Sequence, residues 1–204
     1  MWSFDLRTMR WQQHELTGDI PTGRHSYEMC LLPYVDNNNN FTPYLLLFGG
    51  NSNVYSSSNL SDTYMINVTT MHSQRIVLSC HVSQYNQQQQ FTHYTTRTDL
   101  PSGRWAANMV VVSDYVLLYG GYRSQRTPSD FSLKHIYTLN WRQLIQYVIN
   151  NVPTNLYWYR HTTHTSTHVP ARTFSCSYVI DQSHIVLYGG ANKGIPLNEM
   201  LVLA

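Results

Sequence analysis

Three arginines stand at matching places in this 204-residue chain: Arg24, Arg104 and Arg172. Each follows a proline-containing turn, PTGR at Pro21–Arg24, LPSGR at Leu100–Arg104 and VPAR at Val169–Arg172. A guanidinium is a planar, permanently charged fork of N–H donors that grips a carboxylate through two parallel hydrogen bonds. Three such groups around one pocket would clamp a carboxylate or an acidic peptide. An arginine repeated at one position also suits a structural duty, donating to main-chain carbonyls of a neighbouring turn. The sequence leaves both roles open. His25, Trp105 and Phe174 lie beside the arginines and add stacking area, and Tyr122, Arg123 and Arg126 follow in the next loop. These nine are the candidate partner-binding residues.

Other chemistry finds less support. His161, His164 and His168 are spaced HxxHxxxH. Residues four apart share a helix face and could hold a metal, but the Thr-rich surroundings are poor helix formers and no acidic residue lies nearby. The segment reads as a polar loop, and no metal site is assigned. No GxSxG elbow, HExxH or phosphate loop is present. Asp5, Asp62 and Asp114 fall at turns or strand ends, where capping is the usual job. No catalytic residue and no cofactor follow.

The elements that must position the arginines repeat as well. Each arginine opens a short strand-like stretch that returns in an apolar run ending in Gly-Gly: PYLLLFGG (Pro43 to Gly50), DYVLLYGG (Asp114 to Gly121) and SHIVLYGG (Ser183 to Gly190). A third piece aligns without gaps, as LSDTYMIN from Leu60, LKHIYTLN from Leu133 and LNEMLVLA from Leu197. A fourth is marked by a large aromatic: Trp11 and Phe91 lie 13 residues before Arg24 and Arg104, and Trp158 lies 14 before Arg172. Trp2-Ser3-Phe4-Asp5 fits the second half of the same pattern. Runs of Val, Ile, Leu, Tyr and Phe bounded by turn residues predict four short strands per unit. The continuous apolar runs predict inner strands buried on both faces. Gly49-Gly50, Gly120-Gly121 and Gly189-Gly190 predict a bend where another backbone comes close. Trp11 and Trp158 predict aromatics filling the wedge between sheets.

In these features the chain resembles the kelch repeat of β-propellers, carried by the three Gly-Gly pairs, the downstream Tyr64 and Tyr137, and the outer Trp11 and Trp158. Phe91 and Leu201 depart from the pattern, and the period of about 70 residues exceeds the roughly 50 of kelch blades. The excess falls in polar tracts, Asn37 to Asn40, Gln87 to Gln90 and Asn150 to His168, which cannot bury a core. Within WRQLIQYVINN, Leu144, Ile145, Val148 and Ile149 fall at helical spacing, so a helix and a loop both remain open there. The resemblance implies an all-β arc of about three to four four-stranded blades, within the usual four to eight of a propeller. The whole of 1–204 reads as one kelch-repeat region: 1–23 the end of one blade, 24–103 and 104–171 full blades, and 172–204 a partial one. Both ends supply the third piece of a unit, so they duplicate each other, and the arc is expected to belong to a longer propeller. The resemblance also implies protein–protein recognition on one face, as scaffold or substrate adaptor. The alternative is a propeller enzyme with a central active site of galactose-oxidase type, although none of that family's copper-binding motifs recurs.

Charge is sparse, with 13 basic and 11 acidic residues and a net charge of +2. No basic run exists, which argues against nucleic acid, and no apolar stretch is long enough for a membrane span. Cys30, Cys80 and Cys176 are odd in number and form no CxxC pair, which favours a reducing compartment, cytoplasmic or nuclear. The sequons at Asn40, Asn59 and Asn67 are about what an Asn-, Ser- and Thr-rich chain carries by chance.

Overall fold

A computed structural model describes residues 1–52, 58–85, 91–96, 100–123, 135–150, 156–161 and 171–203, with 80–85 and 91–96 as backbone. The predicted runs form strands, ordered in sequence as β1 (Trp2–Asp5), β2 (Arg10–Gln13), β3 (Thr17–Gly18), β4 (Glu28–Val35), β5 (Phe41–Phe48), β6 (Thr63–Asn67), β7 (His72–Ile76), β8 (Ser79–Tyr85), β9 (Phe91–Thr96), β10 (Trp105–Val112), β11 (Tyr115–Tyr122) and β12 (Ile136–Asn140). Helix α1 (Trp141–Asn150) comes next, then β13 (Tyr157–His161), β14 (Cys176–Val179), β15 (Ile185–Tyr188), β16 (Ala191–Asn192), β17 (Ile195–Pro196) and β18 (Met200–Leu203). They build three main sheets, in the orders β4-β5-β6-β7-β3, β10-β11-β12-β13-β8-β9 and β14-β15-β18, and two small hairpins, β1-β2 and β16-β17. Each main sheet begins as an antiparallel meander from the arginine strand through the Gly-Gly strand to the third piece. This is the all-β arrangement that the repeat predicts.

The core lies between the sheets. Leu32, Leu46, Phe48 and Met65 of the first sheet bury against Met109 of the second, in one cluster with Leu118 and Leu139. Tyr119, Val110 and Val112 of the second meet Ile185 and Leu187 of the third. The second strand of the second sheet is therefore covered by a sheet on each face, as its unbroken apolar sequence requires, while that of the first sheet meets a neighbouring sheet on the face of Leu46 and Phe48. Helix α1 is the helical reading of WRQLIQYVINN. Asn140 Oδ1 caps it by accepting from the Gln143 N–H at 3.0 Å. Trp141, Leu144 and Ile145 are buried, and the Trp141 indole N–H donates to Ser113 O at 2.9 Å. The insertion thus adds to the core rather than looping free of it.

The fourth strands differ from the sequence reading in two places. Phe91 does not mark the fourth strand of the first sheet. It opens β9, which pairs with β8, and β8 runs parallel to β13 on the outer side of the second sheet. The fourth place in the first sheet is taken by β7, because a tight turn returns the chain directly from β6. Asn67 Oδ1 holds that turn by accepting from Thr69 and Thr70 N–H at 2.9 and 3.0 Å. Trp11 also fills no wedge. It is 68% exposed and stands 5.0 Å from Phe4 within its own hairpin, which has no inner strands beside it among the described residues. Trp158 is 1% exposed, set edge-on between Phe48 of the first sheet at 6.0 Å and Tyr137 of its own at 6.5 Å.

Candidate functional site

The three arginines do not converge on a shared pocket. Each folds back into its own blade. The Arg24, Arg104 and Arg172 Nη1 groups donate to Gly49 O, Gly120 O and Gly189 O at 3.0, 3.0 and 3.1 Å. Arg24 and Arg104 also donate from Nε to the carbonyl two residues back, Thr22 O and Ser102 O, and from Nη2 to the hydroxyl of the same residue. That explains the Thr and Ser of PTGR and PSGR: the turn is a cradle for the guanidinium. The third-piece position Asp62 pairs with Arg24 at 2.6 Å, and its counterpart Glu199 with Arg172 at 3.4 Å. Burial opposes ionisation of Asp62, but the hydrogen bond and charge of Arg24 hold its carboxyl below the usual range. In the second blade this position holds His135. Arg104 instead lies over the Tyr137 ring at 5.3 Å, as Arg24 does over Tyr64. Arg104 is 1% exposed and Arg172 0%. Burial pushes Arg104 down to about 10, so it stays charged at neutral pH. The guanidinium groups thus serve their own blades, and Arg172 Nε is shut from solvent with no acceptor among the described residues.

The Gly-Gly pairs join one blade to the next. Gly50 N–H donates to Arg104 O at 2.8 Å, and Gly121 N–H to Arg172 O at 3.0 Å. A Cβ on Gly120 would stand 2.3 Å from Arg172 O, and one on Gly49 2.6 Å from Arg104 O. The first glycine of the first two pairs is needed because the next arginine's backbone occupies its side-chain space. Two residues beyond each arginine, Ser26, Ala106 and Phe174 all have φ between 51° and 56°. This left-handed backbone aims each N–H at the preceding blade: Phe174 N–H donates to Ala106 O at 3.1 Å, and Ala106 N–H to Ser26 O at 3.0 Å. A ladder of main-chain bonds therefore runs across the blades at their inner edge.

With the backbone fixed, the side chains beside the arginines are carried onto one rim, and here the structure brings candidates together. The Trp105 ring lies 4.9 Å from Tyr122, 5.4 Å from Phe174 and 6.3 Å from His25, edge-on to each. These four residues come from all three blades. Phe174 and His25 are exposed, and Trp105 and Tyr122 half-buried. Trp105 Nε1 is shut from solvent, and no acceptor reaches it among the described residues. Arg123 follows Tyr122 directly and is half-exposed; Arg126 lies outside the described residues. Of the three spaced histidines, His161 accepts or donates at Thr138 Oγ1 (2.8 Å), and burial lowers its pKa; His164 and His168 lie outside the described residues. Among the described residues no three His, Cys, Asp or Glu side chains come close enough to hold a metal.

Two residues escaped the sequence reading. Four positions after each arginine, Glu28 and Asn108 reach across to the next blade: Glu28 accepts from the Ala107 N–H, and Asn108 Nδ2 donates to Ser175 Oγ at 2.7 Å. Burial pushes Glu28 up to about 7. Aligning the arginine strands would have put both at one position, as the polar residues facing the seam.

The model of the KLHDC2/KLHL20/DRC7 Kelch-repeats domain matches residues 1–204. The chain belongs to the kelch-repeat family. Kelch-repeat domains generally mediate protein–protein interaction and are typically non-enzymatic. No curated protein matches the chain. No helix among the described residues is long and apolar enough to cross a membrane.

Proposed function

We propose that this protein is a recognition module whose rim binds a segment of a protein partner, as scaffold or substrate adaptor. The observation that carries this reading is the meeting of His25, Trp105, Tyr122 and Phe174, from three blades, around one half-buried indole. Aromatic anchors give large contact area with little rotamer entropy to lose, and they dominate binding hot spots. The adjacent, half-exposed Arg123 favours a segment that brings acceptor oxygens, an acidic side chain or a C-terminal carboxylate, together with an apolar side chain for the rings. The free thiols Cys30 and Cys176 suit a reducing compartment, cytoplasmic or nuclear.

Trp105→Ala should lower affinity for a selected peptide by a hot-spot amount, about 2–4 kcal/mol or more than tenfold, with the fold retained. A peptide library with free and amidated C-termini supplies the probes, read by fluorescence polarisation. Equal binding by wild type and Trp105→Ala refutes the rim. Equal binding of acid and amide peptides removes the carboxylate preference alone.

A further inference from the structure

Between the first two blades, away from the rim, the packing is incomplete. Where the chain crosses from β7 to β8, a cavity of about 210 Å³ opens between the two sheets. Phe48 and Trp158 line it, each 1% exposed and edge-on to the other at 6.0 Å, together with the buried Ile76, Leu78 and Pro101. An apolar cavity of about 150 Å³ accepts a benzene ring, so this one accepts a phenyl or a branched aliphatic side chain. It is smaller than the roughly 300–1,000 Å³ of pockets for cofactors and other small molecules. Its size therefore suits one side chain rather than a whole small-molecule ligand.

The cavity also carries an unmatched charge. Arg75 and Val77, which alternate in sequence with Ile76 and Leu78, line it too, and both are exposed, Val77 by 80%. Val77 adds apolar surface, and Arg75 adds a cation. The Arg75 main-chain N–H donates to Asp19 Oδ2 at 3.0 Å, but its guanidinium has no partner among the described residues. Asp62, the acidic residue in the lining, is already held by Arg24 through hydrogen bonds of 2.6 and 3.1 Å. The uncompensated charge at the cavity is thus positive.

We propose that this cavity anchors a protein partner by one apolar side chain, with an adjoining acidic residue on Arg75. Such an occupant meets both features. The apolar side chain leaves water for walls of its own kind, and a carboxylate fits the free guanidinium fork through two hydrogen bonds. A basic or uncharged segment would leave Arg75 unpaired. The inference rests on the recognition role proposed above but not on the rim, since none of the rim aromatics lines the cavity.

The probes are tetrapeptides, acetylated and amidated so that no terminal charge remains: Ser-Asp-Phe-Ser and its counterparts Ser-Asn-Phe-Ser and Ser-Asp-Ala-Ser. Each is titrated into the isotope-labelled chain and followed by the amide NMR shifts. The Asp-Phe peptide should give saturable shifts at Ile76, Val77 and Leu78. The Asn peptide should bind about two- to fivefold more weakly, the range of an exposed ion pair, and the Ala peptide more than about tenfold more weakly. Arg75→Gln, a change at the surface, should make the Asp and Asn peptides bind alike. Four results each overturn the proposal: no shifts at these amides, shifts centred on Trp105 and Phe174 instead, equal binding of any two of the peptides to wild type, or an Asp preference that survives Arg75→Gln. The rim is read from Trp105→Ala, so rim and cavity can fail separately.

Discussion

Glu28 makes the seam between the first two blades sensitive to pH. Its carboxyl sits half-buried on β4, where it accepts from the Ala107 N–H, and burial raises it from the usual 4.5 to about 7. That single hydrogen bond favours the ionised form but does not offset the lost hydration. The sign follows from linkage. Below pH 4.5 the group is protonated in both folded and unfolded chains and costs nothing. Between about 4.5 and 7 the unfolded chain releases the proton while the folded chain holds it, so stability falls as pH rises. Above about 7 the loss is complete. At about 1.4 kcal/mol per pH unit the ceiling is ~3 kcal/mol, and the remaining solvent contact brings the expected value to about 2 kcal/mol.

Glu28→Gln keeps an acceptor for the Ala107 N–H and removes the charge. The variant should match wild type at pH 4.5 and exceed it by about 2 kcal/mol at pH 8, or about 4–8 °C in Tm for a chain of this size. Urea unfolding of both proteins at several pH values between 4.5 and 8 is the assay. The variant-minus-wild-type difference cancels the histidines, which titrate in the same window. Asp62 and Asp181, whose carboxyls are held low, act below that window. Parallel curves for the two proteins would refute the reasoning, since the seam would then accommodate the carboxylate without cost.

Five further substitutions test the structural roles. Arg104→Ala leaves the buried Gly120 and Ser102 carbonyls without their donor and opens a cavity under Tyr137, and should cost about 3–5 kcal/mol in chemical denaturation. Gly120→Ala meets Arg172 O at 2.3 Å and should disrupt the second seam, whereas Gly189→Ala meets nothing nearer than 3.5 Å and should cost only the left-handed backbone's ~1–2 kcal/mol. Trp158→Ala should lose about 3–5 kcal/mol; Trp11→Ala, exposed on its hairpin, should stay within about 0.5 kcal/mol.

Strand content, the Gly-Gly bends and the wedge tryptophan at 158 were legible because each depends on local residue type plus one repeat. The placement of β8 and β9 was not. Phe91 has the right spacing from Arg104, but spacing does not record that Asn67 turns the chain back and takes the fourth place first. Trp11 misled for the opposite reason: its sequence context matches Trp158, while the sheets that would enclose it are not beside its hairpin. Helix α1 was half-legible, since its periodicity was visible but the Asn140 cap and the Ser113 carbonyl that fix Trp141 belong to tertiary structure.

The arginines carry the broader lesson about reading a site from a repeat. A residue present at one position of every blade answers a need that every blade has. Here that need is to satisfy the first glycine's carbonyl, which the left-handed Gly-Gly bend turns away from the ladder. A partner, by contrast, meets the blades as different neighbours, so recognition belongs to positions where the backbone repeats and the side chain changes. One residue past the arginine stand His25, Trp105 and Thr173; two past it stand Ser26, Ala106 and Phe174, at one φ and with unrelated side chains. The ladder holds these positions at the inner edge whatever they carry. The repeated arginine and the variable rim are thus two halves of one arrangement, the first fixing the geometry that leaves the second free for the recognition proposed above.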